Sequence, residues 1–319
     1  MIKLKQLSHA LTLRQHGNFH RAAKAANISQ PALSRSIRSL EDSLGAQLFD
    51  RQASVVTPTL YGEALLRRAE TVSAETEELE REIMLLKGLD AGSFSVAMGI
   101  YPAELSGSQA LGELIKQHPN LHCHARLTKW REVTGLVLSR SVDIGIVETS
   151  ILENIEELLV EPLSDLEAVL FCRRDHPLLG RKKVSKSDLD NYPLAMLRIP
   201  PRAASRFPGK SSIDAITGDL IPSIEVDELA TARAVVQASD AFSVMTPLQL
   251  EPWLQSGEFK VLPFRTPWLK LEYGFIRLQK RMLSPATELY MQLVREIEKE
   301  LAKRNHELMN QLVPEYTAQ

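Results

Sequence analysis

Residues 27–45 read Asn27-Ile28-Ser29-Gln30-Pro31-Ala32-Leu33-Ser34-Arg35-Ser36-Ile37-Arg38-Ser39-Leu40-Glu41-Asp42-Ser43-Leu44-Gly45. Ser29 stands where a side-chain oxygen caps a helix, and Pro31 falls in the first turn, where a missing N–H costs nothing. Leu33, Ile37, Leu40 and Leu44 recur at helical spacing and form one buried stripe. The opposite face carries Gln30, Ser34, Arg35 and Arg38. Hydrogen-bonding residues with two cations, at the start of a helix that follows a tight turn, suit the major groove of DNA. There arginine pairs with guanine and glutamine with adenine. Taken alone, Arg35 and Arg38 would read as a solvated helix face, so the flanking sequence decides.

Upstream, Leu4, Leu7 and Leu11 fall at i, i+3 and i+7, the buried stripe of a first helix that Gly17 stops. Asn18 is placed to cap a second helix, with Phe19, Ala22, Ala23 and Ala26 on one face. Asn27 then suits a left-handed turn. Residues 1–60 hold eight Lys or Arg and three acids, a balance of +5. With a net charge of −2 overall, the remainder carries −7. A basic head on an acidic body is the footprint of a DNA-binding module joined to something else.

The run Phe19-His20-Arg21-Ala22-Ala23, then Ser29 to Arg35, Ile37 to Glu41 and Leu44 to Arg51, closely resembles the N-terminal signature of LysR-type transcriptional regulators, without a gap from about Leu4 to Gly62. The resemblance implies a winged helix-turn-helix over 1–58. Ser29 and Pro31, with Gln30, Ser34, Arg35 and Arg38, would approach double-stranded DNA, and Arg51 would open the wing. The wing departs from the family pattern: Gln52-Ala53-Ser54-Val55-Val56 contains no cation. Each lost phosphate contact flattens the salt dependence of binding.

Over 59–88, Leu65, Ala69, Val72, Thr76, Leu79, Ile83 and Leu86 step alternately by four and three, beside a glutamate-rich flank. A strict 3.5-residue period calls for a partner helix. The expectation is a linker helix that pairs two copies, with a dimer or tetramer implied by the resemblance. Gly88 and Gly92 mark a hinge.

From residue 92 onward strands and helices alternate, which means α/β layers. Strands are expected at 94–98, 121–127, 143–147, 168–172, 194–197, 242–245 and 273–276, and helices at 105–117, 133–139, 228–238 and 285–303. These segments resemble the LysR-type effector domain, and imply two subdomains like a periplasmic binding protein, one from 92–163 and 266–303, the other from 164–265. Residues 304–319 form an extension past the family's last helix.

In open α/β sheets ligands bind beyond the carboxyl ends of strands. Those ends supply Ile100 and Tyr101, Thr128 and Trp130, Glu148, Arg198 and Ile199, and Thr246. Each reads equally well as an interface or surface residue. Helix N-termini and Arg198 favour an anionic small-molecule effector, and Tyr101 and Trp130 a planar one. Gly99-Ile100-Tyr101-Pro102 lacks the hydroxyl that the family often places after its first strand.

Cys123 and Cys172 form neither a disulfide framework nor a zinc spacing and read as free buried thiols. His122, Cys123 and His124 alternate across a strand and cannot share one ion, so no metal and no cofactor is expected. Nucleophile-elbow, phosphate-loop, dinucleotide and zinc-protease motifs are absent, which argues against an enzyme. With no secretory signal and no apolar run long enough for a bilayer, the expectation is a cytoplasmic regulator that contacts DNA, RNA polymerase and its own copies, and no membrane.

Overall fold

The computed structural model describes residues 2–50, 55–85, 93–149, 152, 155–163, 165–181, 183–204, 206–264 and 268–312. The chain divides into two compact units, Met1–Lys87 and Gly88–Gln319.

The first unit contains α1 (Leu4–His16), α2 (Phe19–Ala25), α3 (Gln30–Leu44), the short strands β1 (Phe49–Asp50) and β2 (Thr57–Pro58), and α4 (Leu60–Leu85). Local chemistry sets the helix ends. Gly17 closes α1 at φ 57°, a left-handed conformation that glycine adopts at little cost. Asn18 caps α2 by accepting from the backbone N–H groups of His20 (2.8 Å) and Arg21 (3.2 Å). Ser29 caps α3 by accepting from Ala32 N–H (3.4 Å). Asn27 makes the turn between them at φ 52°. β1 and β2 pair antiparallel, with Phe49 opposite Pro58, and form the base of the wing.

Three stripes differ from expectation; in α3, Leu33, Ile37 and Leu40 are buried but Leu44, next to the closing Gly45, is 40% exposed. In α1 the buried positions are Leu7, His9, Ala10 and Leu13, while Leu4 is 53% exposed. The helix packs on α2, α3 and α4 together, so its buried face is wider than one stripe, and Leu4 overhangs it. In α4, Leu66 joins the head's own core, Leu65 packs against it, and Ala69 is buried. Of the expected seam, only Val72, Leu79 and Ile83 are exposed apolar residues; Leu86 lies outside the described residues. Gly62 lets α4 pass β1, since a Cβ there would lie 2.0 Å from the carbonyl oxygen of Leu48.

The second unit begins with β3 (Ser93–Met98), α5 (Ile100–Pro102), a π-helical turn (Ala103–Gly107), α6 (Ser108–Gln117), β4 (His122–Leu127), α7 (Trp130–Leu138), β5 (Ile144–Glu148) and β6 (Leu158–Pro162). It continues with β7 (Leu166–Glu167), β8 (Val169–Arg173), α8 (Lys186–Leu189), β9 (Ala195–Met196), α9 (Pro201–Ala204), β10 (Ser211–Ile213), β11 (Leu220–Pro222) and β12 (Ile224–Glu225). α10 (Leu229–Ala238), β13 (Ser243–Met245), α11 (Pro247–Ser256), β14 (Phe259–Val261), β15 (Lys270–Leu271), β16 (Tyr273–Leu278) and α12 (Pro285–Leu312) complete it.

One sheet runs β4-β3-β5-β16-β6, with parallel ladders around β3 and antiparallel ladders around β16. A second grouping repeats the pattern: β9 lies parallel to β12, a parallel bridge joins Leu194 to Phe242, and β8 pairs antiparallel with β13 and β14. The chain passes between the two through β7 and β15, which pair antiparallel. The first sheet is covered on both faces. Phe94, Val96, Ile144 and Phe275 pack with Leu114, Tyr290 and Val294, while Ala97, Val147 and Ile276 pack with Val133 and Val137 of α7. β4 is the edge strand; its expected inward residue Leu127 is 57% exposed, and Cys123 is half-buried.

α12 runs nine residues past Lys303. Leu308 and Met309 are buried, and Met309 joins the cluster of Val169, Phe171, Leu250 and Phe259. Asn305 Nδ2 donates to the carbonyl of Glu167 (3.1 Å), and Arg304 pairs with Glu251. The described part of the C-terminal extension, 304–312, therefore packs on its own unit.

Candidate functional site

Two sites emerge, one in each unit. In the head, Ser29, Gln30, Pro31, Arg35 and Arg38 are exposed and Ser34 is half-buried, while Leu33, Ile37 and Leu40 on the other side of α3 are completely buried. The burial pins the helix to the core and leaves its N-terminal half presented outward. Neither Arg35 nor Arg38 has an ion-pair partner among the described residues. Glu41, the first acid after them on the helix, is turned away: its Oε1 accepts from the N–H groups of Leu48 (2.9 Å) and Phe49 (3.3 Å). Arg51 lies outside the described residues.

In the second unit a cavity of about 1050 Å³ opens between the two sheets. All eight positions expected at strand ends, Ile100, Tyr101, Thr128, Trp130, Glu148, Arg198, Ile199 and Thr246, line it. Several of their polar groups are already engaged. The Thr246 hydroxyl caps α11 and exchanges hydrogen bonds with Gln249 (3.1 and 3.3 Å), and Thr246 is 1% exposed. The Thr128 hydroxyl donates to Glu132.

Arg198 grips Glu225 through two bonds (3.0 and 3.3 Å) and holds Asp214 at 3.1 Å. Around it stand pairs that span the cleft. Arg131 reaches the buried Asp219 (2.9 Å), and Lys129 reaches Asp227 (2.9 Å). From the far side Arg233 holds Glu104 (2.7 Å), to which Gln249 also donates (2.9 Å). Lys270 faces Asp165 at 3.8 Å. The lining thus contains five Lys or Arg, each paired to a carboxylate, against eight Asp or Glu.

Sequence reasoning did not single out Lys129, Arg131, Asp219, Glu225, Asp227 or Arg233. Lys129 and Arg131 flank Trp130 and were within reach of the strand-end rule. Glu225 ends, and Asp227 follows, a strand only two residues long, too short to be read from alternation.

Burial, with Glu104's charge second, pushes the Tyr101 phenol well above its ordinary range, so it stays a neutral hydroxyl. Its hydroxyl has no hydrogen-bond partner among the described residues. Away from the cleft, burial pushes the Cys172 thiol up to about 12, and both cysteines are free. Among the described residues no cluster of His, Cys, Asp or Glu could hold a metal ion, and no helix is long and apolar enough to cross a membrane.

A basic helix-turn-helix head joined to a two-lobed unit with a ligand-sized cleft defines a DNA-binding regulator with a sensor domain. Residues 4–63 match the bacterial regulatory helix-turn-helix protein family of lysR type, and residues 87–298 match the LysR substrate binding domain. The chain belongs to the LysR-type transcriptional regulators. It is 32% identical over 299 residues to the SDS degradation transcriptional activation protein of a Pseudomonas species, covering 92% of this chain and 96% of that one. It is 27% identical to the regulator GbpR of Azospirillum brasilense, covering 92% and 86%. Among solved structures it resembles in fold a full-length OxyR variant from Pseudomonas aeruginosa, with a TM-score of 0.64 and 20% identity over 94% of this chain and 97% of that one. It likewise resembles CbnR in complex with its target DNA, with a TM-score of 0.58 and 19% identity over 93% and 100%.

Proposed function

We propose that two copies pair through the exposed part of the α4 seam, Val72, Leu79 and Ile83, and present two α3 helices to two-fold-related half-sites of an operator in the cytoplasm. Gln30, Arg35 and Arg38 read base edges, Ser29, Pro31 and Ser34 sit against the groove, and Arg51 holds phosphate at the wing. A small molecule in the cleft shifts the balance between quaternary arrangements of the dimer or tetramer, and so changes DNA bending and contact with RNA polymerase. The chain carries out no chemical reaction in this role. The effector site is built from Ile100, Tyr101, Trp130, Glu148 and Ile199, with Thr128, Arg198 and Thr246 as polar neighbours. An anionic effector, the reading from Arg198 and the helix N-termini, requires the Arg198 fork to release Glu225 and Asp214.

The observation that carries this reading is the unpaired, outward pair Arg35 and Arg38 on a helix whose opposite face buries Leu33, Ile37 and Leu40 completely. The test is binding of the full-length protein to the DNA flanking its own gene, followed by fluorescence anisotropy and footprinting. Protection of two half-sites about one helical turn apart, or a multiple of it, is expected. A single unpaired footprint would remove the dimer from the scheme.

A further inference from the structure

We infer that the ligand of the interlobe cleft is an uncharged, largely apolar molecule with one hydroxyl or carbonyl oxygen, held by the Tyr101 phenol. This rests on the reading of the cleft as the effector site and goes beyond it in naming the chemistry.

Three observations carry it. First, the walls are apolar: Met196, Phe207, Val226, Met245, Trp268 and Leu269, each buried or half-buried, face a cavity of about 1050 Å³. That is the upper end of the range for small-molecule sites, which are lined mostly by such side chains. Second, no cation in the lining is free. An anion would have to displace the carboxylates already on Arg198 or Arg131, inside a wall where acids outnumber bases by eight to five. Both the repulsion and the lost pairs oppose it. A cationic ligand finds Glu104, Asp219, Glu225 and Asp227 already holding protein cations, and a charge brought unpaired against apolar walls is strongly disfavoured. Third, the cleft keeps a neutral polar handle in the Tyr101 hydroxyl. The Tyr101 ring packs against the cluster that contains Val226 and Met245, and its hydroxyl has no partner among the described residues. A phenol that stays protonated donates to a ligand oxygen without any ion pair being broken.

The test uses the full-length protein and Nile red, an uncharged fluorophore, displaced by three probes of one chain length: 1-decanol, decanoate and decylamine. 1-Decanol should displace Nile red at a concentration at least about ten-fold lower than either charged probe, as expected where a charge costs one or more kcal/mol to bury. Tyr101→Phe, which keeps the ring, should weaken 1-decanol by roughly two- to ten-fold, the worth of one neutral hydrogen bond. Decanoate or decylamine binding as well as the alcohol overturns the inference, as does an unchanged affinity in Tyr101→Phe. Ile199→Trp, which narrows the cleft, should abolish Nile red binding. If Nile red binds Ile199→Trp as before, or binds no form of the protein, the cleft itself is not the ligand site, and it is that underlying reading which fails.

Discussion

Arg35 and Arg38 on α3, and Arg131 and Arg198 in the cleft, are the same side chain in opposite circumstances. On α3 the guanidinium groups are exposed and meet no carboxylate among the described residues. In the cleft each is gripped by one or two acids at 2.9–3.1 Å. Arginine offers the same planar fork of donors in both places, so the difference lies in what surrounds it. Where the protein meets a polyanion it leaves its cations unsatisfied. In the cleft it neutralises them, Arg131 against Asp219 of the other lobe and Arg198 against Glu225 and Asp214 of its own.

Five experiments break or sharpen that contrast. The largest effect belongs to α3: Arg35→Ala should weaken operator binding by about 1–3 kcal/mol and relax the preference at one base position, measured by anisotropy at fixed salt. Unchanged binding would show that the helix docks in another register. Next is the cleft. Arg131→Ala leaves the Asp219 carboxylate, 3% exposed, without its cation. Because Arg131 itself is 47% exposed, the loss should be about 1–2 kcal/mol, smaller than for a fully buried pair, read from urea unfolding of the full-length protein. Asp219→Asn should do the converse: Arg131 is freed, and decanoate affinity rises toward that of 1-decanol. No gain for the anion would show that paired cations are not what excludes it.

A smaller effect concerns a carboxyl that has no cation in its hydrogen-bond shell. Glu298 on α12 is 1% exposed and accepts from the Tyr273 hydroxyl (2.7 Å). Burial pushes its pKa above the ordinary 4.5. The folded state therefore holds this proton more tightly than the unfolded state, and stability falls as pH rises from about 4.5 through the raised value. Glu298→Gln should remove that part of the decline, seen as a flatter profile of Tm against pH; a profile identical to the parent would mean the carboxyl is ionised in the fold. The smallest effect is at the wing. With no cation from Gln52 to Val56, the plot of log affinity against log salt should be shallower, by roughly one unit per missing phosphate contact, than for a relative with a basic wing. An equal slope would mean that other cations replace the missing contacts.

The head was legible almost to the residue because its signals are short-range. Asn18 and Ser29 cap helices that start one residue later, and Gly17 and Asn27 take the left-handed turns that their side chains allow. The misreadings arose where a helix serves two purposes. Leu4 lies on the helical stripe but beyond the neighbours that would cover it, and the first turns of α4 are drawn onto the head's own core through Leu66 and the seam residue Leu65. In the second unit most of the long strands and helices, and the short β9, were read correctly in kind; β6 and α11 were not expected, and β7, β10 to β12, β14 and β15 were too short to show a period. The added length of α12 was signalled by Leu301, Leu308 and Leu312 at helical spacing, with nothing in 304–312 to stop the helix.

For the cleft, the sequence named the loops and the structure named the partners. Strand ends placed Ile100, Tyr101, Thr128, Trp130, Glu148, Arg198, Ile199 and Thr246 correctly on its wall, because the rule depends only on strand direction. Their charge state was beyond its reach. Arg131 meets Asp219 from 88 positions away, and Arg233 meets Glu104 across 129. The sequence by itself determined the head, its caps and its outward arginines, since each rests on interactions within one or two helical turns. Only the tertiary structure decided that the cleft's arginines are already neutralised, since Coulomb energy depends on distance in space and the chain brings those acids close only when both lobes are folded.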